Sequence, residues 1–190
     1  QLLQAPKEDV SVNTQYIDGL GRPVQVVSHE ASPQGRDLVQ VNDYDGLGRA
    51  AKQYLPYAAT TTSASVGTYR TDALQAQHQF YQQEPGVAHS GYAYGTSQFE
   101  DSPLSRPLVQ AAPGESWHMG TNRTAKNAWR SNTAADEIPN WQLDYTTNTW
   151  RYEGFYEAGE LWLIEATDEH GVRTRSWTNK QQQVVLQQQE

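Results

Sequence analysis

Residues 18–22 read Asp18-Gly19-Leu20-Gly21-Arg22, and the same pentapeptide recurs as Asp45-Gly46-Leu47-Gly48-Arg49. An Asp at the start of a turn accepts backbone N–H groups two residues ahead, and Gly permits the positive φ of tight hairpin connections. The Arg on the return strand can reach the Asp or stack on a Tyr across the strand pair. The repeat therefore predicts two hairpin turns of one design.

The residues around the two pentapeptides also match, which indicates a repeated supersecondary unit. Tyr16 and Tyr44 come just before the turns, and Gln25 and Gln53 lie on the outgoing strands. A lone Asp-Gly is most often an ordinary turn, whereas two matched copies imply architecture rather than chemistry. Weaker echoes follow at residues 168–173 and 179–184. The predicted structural turn motif comprises Tyr16, Asp18, Gly19, Gly21, Arg22, Tyr44, Asp45, Gly46, Gly48 and Arg49.

Short stretches of strand-forming residues surround these turns and predict a β-meander. A third turn is predicted at residues 32–35, Ser-Pro-Gln-Gly, because Pro and Gly occupy the second and fourth positions of a type I turn. From residue 141 onward the hairpin signals return, with a pairing of residues 149–152 back across Thr147 and Asn148. The predicted strands cover residues 11–17, 24–30, 37–44, 50–55, 141–145, 149–152, 161–166 (buried), 172–177 and 184–186.

The middle of the chain has a different character. Residues 60–68 are small and polar and predict a surface loop. A short helix is predicted from Ala73 to Tyr81, capped by Thr71 or Asp72 and ended by Pro85 and Gly86. We expect Leu74, Gln77 and Tyr81 to share one face of the helix, with Ala73 and Phe80 close beside it. Residues 86–140 are rich in Gly, Pro, Ser and Asn and predict long ordered loops with isolated short strands.

These patterns predict a mainly β fold, built from antiparallel hairpins or a meander with one short α-helix and long loops. We expect residues 1–190 to form a single β-rich segment. Its predicted sub-units are a β-meander at residues 1–58, helix and loops at 59–140, and β-hairpins at 141–190. Gln1 is not Met and no signal segment follows it, so we expect the segment to be a piece of something longer.

Composition excludes several classes of protein. The net charge is -8 and no basic stripe is present, which argues against nucleic acid as a partner. No apolar run reaches the roughly 18–20 residues of a membrane span. The absence of Cys excludes disulfides, thiolate catalysis and Cys-ligated zinc. The 6 Trp and 11 Tyr favour half-exposed sheets over a thick aliphatic core and argue against disorder.

Three kinds of site fail on spacing. Residues 42–46, Asn-Asp-Tyr-Asp-Gly, suggest a calcium loop, but Leu47 and Tyr54 stand where an EF-hand needs oxygen ligands, which leaves only a looser surface calcium site open. Ser116 and His118 lie in a mis-spaced relative of the Gly-x-Ser-x-Gly elbow, so we interpret them as part of a loop. The histidines are scattered and lack metal-ligand spacing; they are His29, His78, His89, His118 and His170.

Carboxylates near tryptophans provide the raw materials of a glycoside hydrolase, although no spacing singles out a catalytic pair. The same aromatic residues also suit a carbohydrate-binding β-sandwich, while packing in the sheet core is the interpretation we favour. We expect no enzyme, no cofactor and no resident metal. The residues concerned are Glu153, Glu157, Glu160, Glu165, Asp168 and Glu169, with Trp150, Trp162 and Trp177.

The turn motif resembles the Tyr-Asp-x-x-Gly-Arg core of YD repeats, which occur in RHS proteins, teneurins and toxin-complex shells. Residues 16–25 and 44–49 resemble more closely the domain of unknown function that precedes the repeats in RHS-type proteins of Bacteroidetes. Further motifs in the same order extend this resemblance over nearly the whole chain. Near the end, Gln182 and Gln183 replace the Gly-Arg of the family, so a looser last turn is expected. The further motifs are residues 32–33, 54–57, 80–81, 100–104, 113–114, Trp117, 161–162, 167–171 and 184–186.

The resemblance implies a mainly β fold of YD-repeat type and a structural role, with no catalytic residue. Such a segment would contribute to, or cap, a β shell that encloses or presents a C-terminal toxin or adhesive region. Its expected partners are the remainder of its own chain or the adjoining shell, or a secretion-system or surface protein. Its expected location is secreted or on the bacterial cell surface. The alternatives are a glycan- or protein-binding β module and, third, a carboxylate-dependent glycoside hydrolase.

Overall fold

The computed structural model describes residues 10–60 and 67–190. Within these residues one α-helix, α1 (Ala73–Gln83), and a single-turn 3₁₀ helix, Ala134–Asp136, accompany the strands. The mainly β fold with one short helix is thereby confirmed. The predicted loop at residues 60–68 lies largely outside the described residues. The strands are β1 Asn13–Ile17, β2 Pro23–Ser28, β3 Leu38–Asp43, β4 Lys52–Tyr54, β5 Tyr57–Ala58, β6 Tyr94–Phe99, β7 Pro107–Ala111, β8 Ala125–Ser131, β9 Pro139–Asp144, β10 Thr149–Phe155, β11 Trp162–Thr167, β12 Arg173–Thr178 and β13 Val184–Gln189.

One large antiparallel sheet dominates the described part of the chain. Its strands follow the order β1-β2-β3-β4-β6-β7-β8-β11-β12-β13, and β5 pairs with β3 beside this path. Strands β9 and β10 form a separate two-stranded hairpin. Because neighbouring strands run in opposite directions, the turns after β1, β3, β6 and β12 all lie at one end of the sheet. We call this end of the sheet the turn end. The β9–β10 hairpin also lies there, inserted between β8 and β11.

The N-terminal strands build a core with α1. Val27 pairs with Val39 across β2 and β3, and both are fully buried. Buried residues alternate with less buried ones along both strands, so one face of this strand pair forms the core with α1. Tyr57 of β5 and Ala73 of α1 complete this cluster. The helix ends where Glu84 turns to an extended conformation before Pro85, as the residue before a proline favours.

The inner face of α1 is built from a small residue and an amide. Ala73 and Gln77 are its buried residues, whereas Leu74 is 44% exposed. The helix therefore docks through Ala73 and Gln77 and not through its leucine. The buried Gln77 Nε2 donates to the Ala93 carbonyl at 2.8 Å and so joins the helix to the chain leading into β6. Asp72 precedes the helix as expected, but its side chain makes no capping hydrogen bond.

A second core lies under the C-terminal strands. Leu161, Leu163 and Trp177 are buried there together with Ile138, and Tyr156 and Leu186 pack against them. The predicted buried strand at residues 161–166 is instead half-buried, because Trp162 and Ile164 point to the exposed face. This alternation is what an antiparallel sheet with one solvated face produces.

Residues 86–140 contain three strands of the main sheet, β6, β7 and β8. The expectation of isolated strands among loops was wrong here, since each of the three pairs with its neighbours. Ala111 is the only residue of the three strands that is buried. With so little burial, hydrophobic alternation is not required, and the usual sequence signal is missing. No helix in the described residues is long and apolar enough to span a membrane.

Candidate functional site

The two identical pentapeptides form identical turns. In the first, the Asp18 N–H donates to the Arg22 carbonyl at 2.9 Å and the Gly21 N–H donates to the Asp18 carbonyl at 3.0 Å. In the second, Asp45, Gly48 and Arg49 make the same two bonds at 2.9 Å each. This is a three-residue hairpin loop whose last residue is left-handed. The prediction of matched hairpin turns is correct.

Each Asp side chain holds its turn closed. Asp18 Oδ1 accepts the N–H groups of Leu20 and Arg22 at 2.9 Å, and Oδ2 accepts Arg22 Nε at 2.8 Å. Asp45 repeats all three contacts at the same distances with Leu47 and Arg49. The backbone N–H of the Arg, followed by its guanidinium, lowers the pKa of each Asp carboxyl below its ordinary value.

Only one glycine of each pentapeptide needs to be a glycine for its backbone. Gly21 and Gly48 both have φ of 79°, whereas Gly19 and Gly46 do not take positive φ. The positive φ that glycine permits is thus used only by the second glycine of each pair. Gly48 has a second constraint, because a Cβ there would lie 2.8 Å from Arg22 Nη1.

Three further turns share this geometry in the described chain. In each of them the N–H of the first residue donates to the carbonyl of the fifth at 3.0 Å; the turns are residues 32–36, 168–172 and 179–183. Asp168 Oδ1 and Asn179 Oδ1 each accept the N–H groups two and four residues ahead, as Asp18 Oδ1 does in its own turn. The looser last turn that we expected is not found: Gln182 takes a φ of 62° in place of Gly, and every backbone bond is kept.

The arginines of the motif join neighbouring hairpins. Each guanidinium that closes one turn lies over the aromatic ring that precedes the next turn: Arg22 over Tyr44, 4.3 Å from the ring centre, and Arg49 over Phe99, at 4.8 Å. Sequence reasoning predicted stacking on a Tyr but not on the following hairpin. The signal was present, since an aromatic residue directly precedes both Asp45 and Glu100.

The row continues through a turn that does not match the pentapeptide. Glu100 accepts both Nε and Nη2 of Arg106 at 2.9 Å, and Arg106 lies 4.6 Å from the ring centre of Trp129 on β8. The Arg106 hydrogen bonds, followed by that of Ser102, lower the pKa of Glu100 to about 2. Its longer loop and its Glu in place of Asp explain why the pentapeptide pattern did not find it.

A leucine stands exposed at the tip of each turn in this row. Leu20 is 79% exposed, Leu47 is 77% exposed and Leu104 is 71% exposed. The three turns alternate with strands of one sheet, so neighbouring tips are about 10 Å apart, two strand spacings. Each of these exposed leucines adds an apolar side chain to the turn end of the sheet. We call the three residues the leucine row.

The flanking residues of the motif serve the fold. The Tyr16 hydroxyl donates to the Gly67 carbonyl at 2.6 Å, and the Tyr44 hydroxyl donates to the Pro23 carbonyl at 2.9 Å. The buried Gln25 amide pairs with the backbone of Arg70, accepting its N–H at 2.8 Å and donating to its carbonyl at 3.0 Å. Gln53 is exposed on β4.

Three of the residues considered for catalysis make structural contacts. His118 stacks on Tyr92 with ring centres 3.8 Å apart, and its Nδ1 lies 2.7 Å from the Met119 carbonyl. Glu165 accepts Arg175 Nε at 2.8 Å, and Glu160 accepts the Glu157 N–H at 3.0 Å. Within residues 10–60 and 67–190, no three His, Asp or Glu side chains gather as a metal site would need.

The β9–β10 hairpin carries an exposed aromatic face. Trp141 pairs with Tyr152 and Leu143 pairs with Trp150, so these side chains share one side of the hairpin. The prediction that the tryptophans pack in the sheet core is correct for Trp177. It is wrong for Trp150 and Trp162, which project into solvent. The exposed fractions are 54% for Trp141, 89% for Tyr145, 67% for Trp150, 48% for Tyr152 and 52% for Phe155.

The described chain is a mainly β protein built from hairpins. Its repeated turns, its antiparallel sheet and its row of stacked arginines define this class. A family model matches residues 1–131, and the chain belongs to that family, the domain of unknown function DUF6443. The match covers strands β1 to β8, which include the whole arginine row. Comparison with curated proteins and with solved structures found no match.

Proposed function

We propose that this chain is a non-catalytic structural segment of a large secreted RHS-type protein, in which it begins or caps a β shell. The observation that carries this proposal is the outer edge of β13. In the described chain β13 pairs with β12 on one side and with no strand on the other. A strand edge of this kind is a template for the next strand.

The register of β13 identifies the groups that the edge offers. Arg173 and Glu190 exchange both backbone hydrogen bonds, at 3.0 and 2.8 Å. Alternation along an antiparallel pair then turns the N–H and C=O groups of Gln188 inward and those of Gln187 and Gln189 outward. The edge is rich in glutamine, carries a charge only at Glu190, and contains no proline. It therefore lacks the lysines and prolines with which proteins commonly block exposed edges.

The leucine row supports the same role at the turn end of the sheet. Leu20, Leu47 and Leu104 form an apolar line that a neighbouring part of the shell would cover. The arginine stacks below the line fix its spacing. The partner in this proposal is the remainder of the same RHS-type chain or the adjoining shell, which encloses or presents a toxin or adhesive region.

The edge is tested with a pair of substitutions at one position. The isolated chain is expected to associate with increasing concentration, as followed by sedimentation velocity. Gln187→Pro removes an outward N–H without breaking a bond to β12 and should reduce this association. Gln187→Thr keeps the N–H and is the matched control, which should associate like the wild type. A monomer at every concentration, with cooperative unfolding, would show that the chain is an autonomous domain and contradict the proposal.

A surface-binding module is the second candidate function. The exposed aromatic face of the β9–β10 hairpin favours it, since five large aromatic side chains in solvent on one hairpin are unusual for a purely structural element. This candidate concerns the C-terminal region beyond residue 131, outside the part matched by the family model.

A further inference from the structure

A cleft of about 320 Å³ lies between the base of the β9–β10 hairpin and the turn at residues 179–183. This volume is within the range of small-ligand sites. Trp141 and Tyr156 contribute aromatic surface to it and Leu161 contributes aliphatic surface. The cleft is therefore a concave site, at the turn end of the sheet, on the one hairpin whose aromatic face is uncovered.

The aromatic side of the cleft continues onto the hairpin. The Trp141 ring lies 5.2 Å from that of Tyr152, and Tyr152 lies 6.1 Å from Phe155, measured between ring centres. Trp141 is thus held at the border between the cleft and a line of contacting rings. A flat ring held by its neighbours and open to solvent provides a stacking surface for a ligand with an apolar face.

Uncharged amides dominate the polar lining. Asn140, Gln142 and Gln181 are among the residues that line the cleft, and their side-chain amides make no hydrogen bond to other described residues. They are therefore available as both donors and acceptors. Glu160 and Lys180 also line the cleft, with opposite charges. The balance of charge and the free amides fit a neutral ligand with many hydroxyl groups.

The turn that borders the cleft has lost the charges of its relatives. Where Asp18 pairs with Arg22, Asn179 Nδ2 instead donates to Gln183 Oε1 at 2.9 Å. Gln182 keeps the turn closed although its φ of 62° disfavours a non-glycine residue. The turn at 179–183 thus keeps the family geometry but replaces an ion pair with an amide pair, beside the amide-lined cleft.

We infer that this cleft binds a neutral oligosaccharide. The ring of Trp141 stacks on the apolar face of one sugar unit, and the amide of Gln181, on the turn across the cleft, binds its hydroxyl groups. The inference specifies the ligand of the second candidate function and is independent of strand addition at β13. A shell segment with this site would also attach its assembly to polysaccharide.

Titration of the full chain with a panel of neutral hexasaccharides tests the site. Cellohexaose, xylohexaose, mannohexaose and maltohexaose are added while tryptophan fluorescence and calorimetry are recorded. At least one is expected to bind with a Kd between about 10 µM and 1 mM, the range of a small stacking site. Oligogalacturonate of equal length, which is acidic, should bind at least about tenfold more weakly.

Two variants assign the binding to the cleft. Trp141→Ala and Gln181→Ala should each weaken binding at least about tenfold. Trp150→Ala removes a more exposed Trp of the same hairpin that does not line the cleft, and it should change Kd less than about threefold. Absence of binding to all four sugars, or equal losses for Trp141→Ala and Trp150→Ala, would overturn the inference. Association through β13 is measured separately, so the two proposals fail independently.

Discussion

The guanidinium of Arg22 lies 4.3 Å from the centre of the Tyr44 ring, on the hairpin that follows its own. The same Arg binds Asp18 through Nε and, at 2.7 Å, through Nη2. One side chain thus closes its own turn and joins it to the next one. The stability of the row should therefore depend on arginine itself and not only on positive charge, because a planar guanidinium can make both contacts at once.

Arg22→Lys should lower the free energy of unfolding by about 0.5–1 kcal/mol, since lysine cannot maintain the fork to Asp18 while stacking on Tyr44. A double-mutant cycle with Tyr44→Leu, measured by urea unfolding, separates the stacking from the Tyr44 hydroxyl bond. Arg173→Lys is the control, because Arg173 only approaches its carboxylates at 3.9 Å. Additive effects of Arg22→Lys and Tyr44→Leu would contradict the coupling.

Two equivalent glycines provide a matched comparison. Gly21→Ala should destabilise the fold by about 1–2 kcal/mol, because alanine disfavours a left-handed backbone. Gly48→Ala should destabilise the fold by the same amount plus about 0.5–1 kcal/mol, because the new Cβ displaces Arg22 from the Tyr44 ring. The excess should disappear when both glycine variants are measured in an Arg22→Ala background. An excess that persists there would place its origin elsewhere.

Gln182→Gly is expected to stabilise the protein. The native φ of 62° favours glycine, as at Gly21 and Gly48, and relief of this strain should raise the free energy of unfolding by about 0.5–1 kcal/mol. Gln181→Gly, one residue earlier and without positive φ, should be neutral or destabilising. Thermal unfolding of both variants provides the measurement; a lower melting temperature for Gln182→Gly would contradict the prediction.

Acid should destabilise the turn row. Carboxyls whose pKa is lower in the folded state stabilise the fold above their unfolded pKa, and this stabilisation is lost as pH falls through the folded value. For Glu100 the window runs from its ordinary value of 4.5 down to about 2. Asp18 and Asp45 shift in the same direction. The melting temperature should therefore fall through this window, and less steeply for Glu100→Gln. Equal slopes for the two proteins would contradict the assignment to Glu100.

The tyrosines of the N-terminal core should respond differently to loss of the hydroxyl. The Tyr57 hydroxyl is buried without a hydrogen-bond partner among the described residues, and burial raises its pKa to about 12. Tyr57→Phe should therefore be neutral or stabilising. The Tyr81 hydroxyl donates to the Pro56 carbonyl at 2.7 Å, so Tyr81→Phe should cost about 0.5–1.5 kcal/mol. Chemical denaturation of the two variants makes the comparison, and equal losses would contradict it.

The parts of the fold governed by local chemistry were predictable from sequence. Asp, Gly and Pro specify turn conformations within a few residues, so the turns at 18–22, 32–36 and 45–49 and the four strands around them were found. Strands β6, β7 and β8 were missed because nearly all of their residues are half-buried or exposed and need no apolar alternation. Which residues of α1 are buried could not be predicted, since periodicity alone cannot show that Gln77 is buried by a hydrogen bond to Ala93.

The candidate surfaces depended on relations that a sequence does not display. The stacking of Arg22 on the next hairpin requires knowledge of which strands are neighbours. The leucine row appears only when three separate turns are brought to one end of the sheet. The exposure of Trp150 depends on β9 and β10 leaving the main sheet, and alternation within the hairpin gives no sign of that.

The order of strands in the sheet has a consequence for synthesis on the ribosome. From β1 to β8 each strand pairs with the strand before it in the chain, apart from the short β5. The turns within the pairs β1–β2, β2–β3, β3–β4 and β6–β7 are short, whereas α1 lies between β4 and β6. Contacts of such short sequence separation form quickly and in the order in which the chain emerges. We expect the first hairpin to fold while most of the chain is still untranslated, each later hairpin then docking its aromatic ring beneath an arginine already in place.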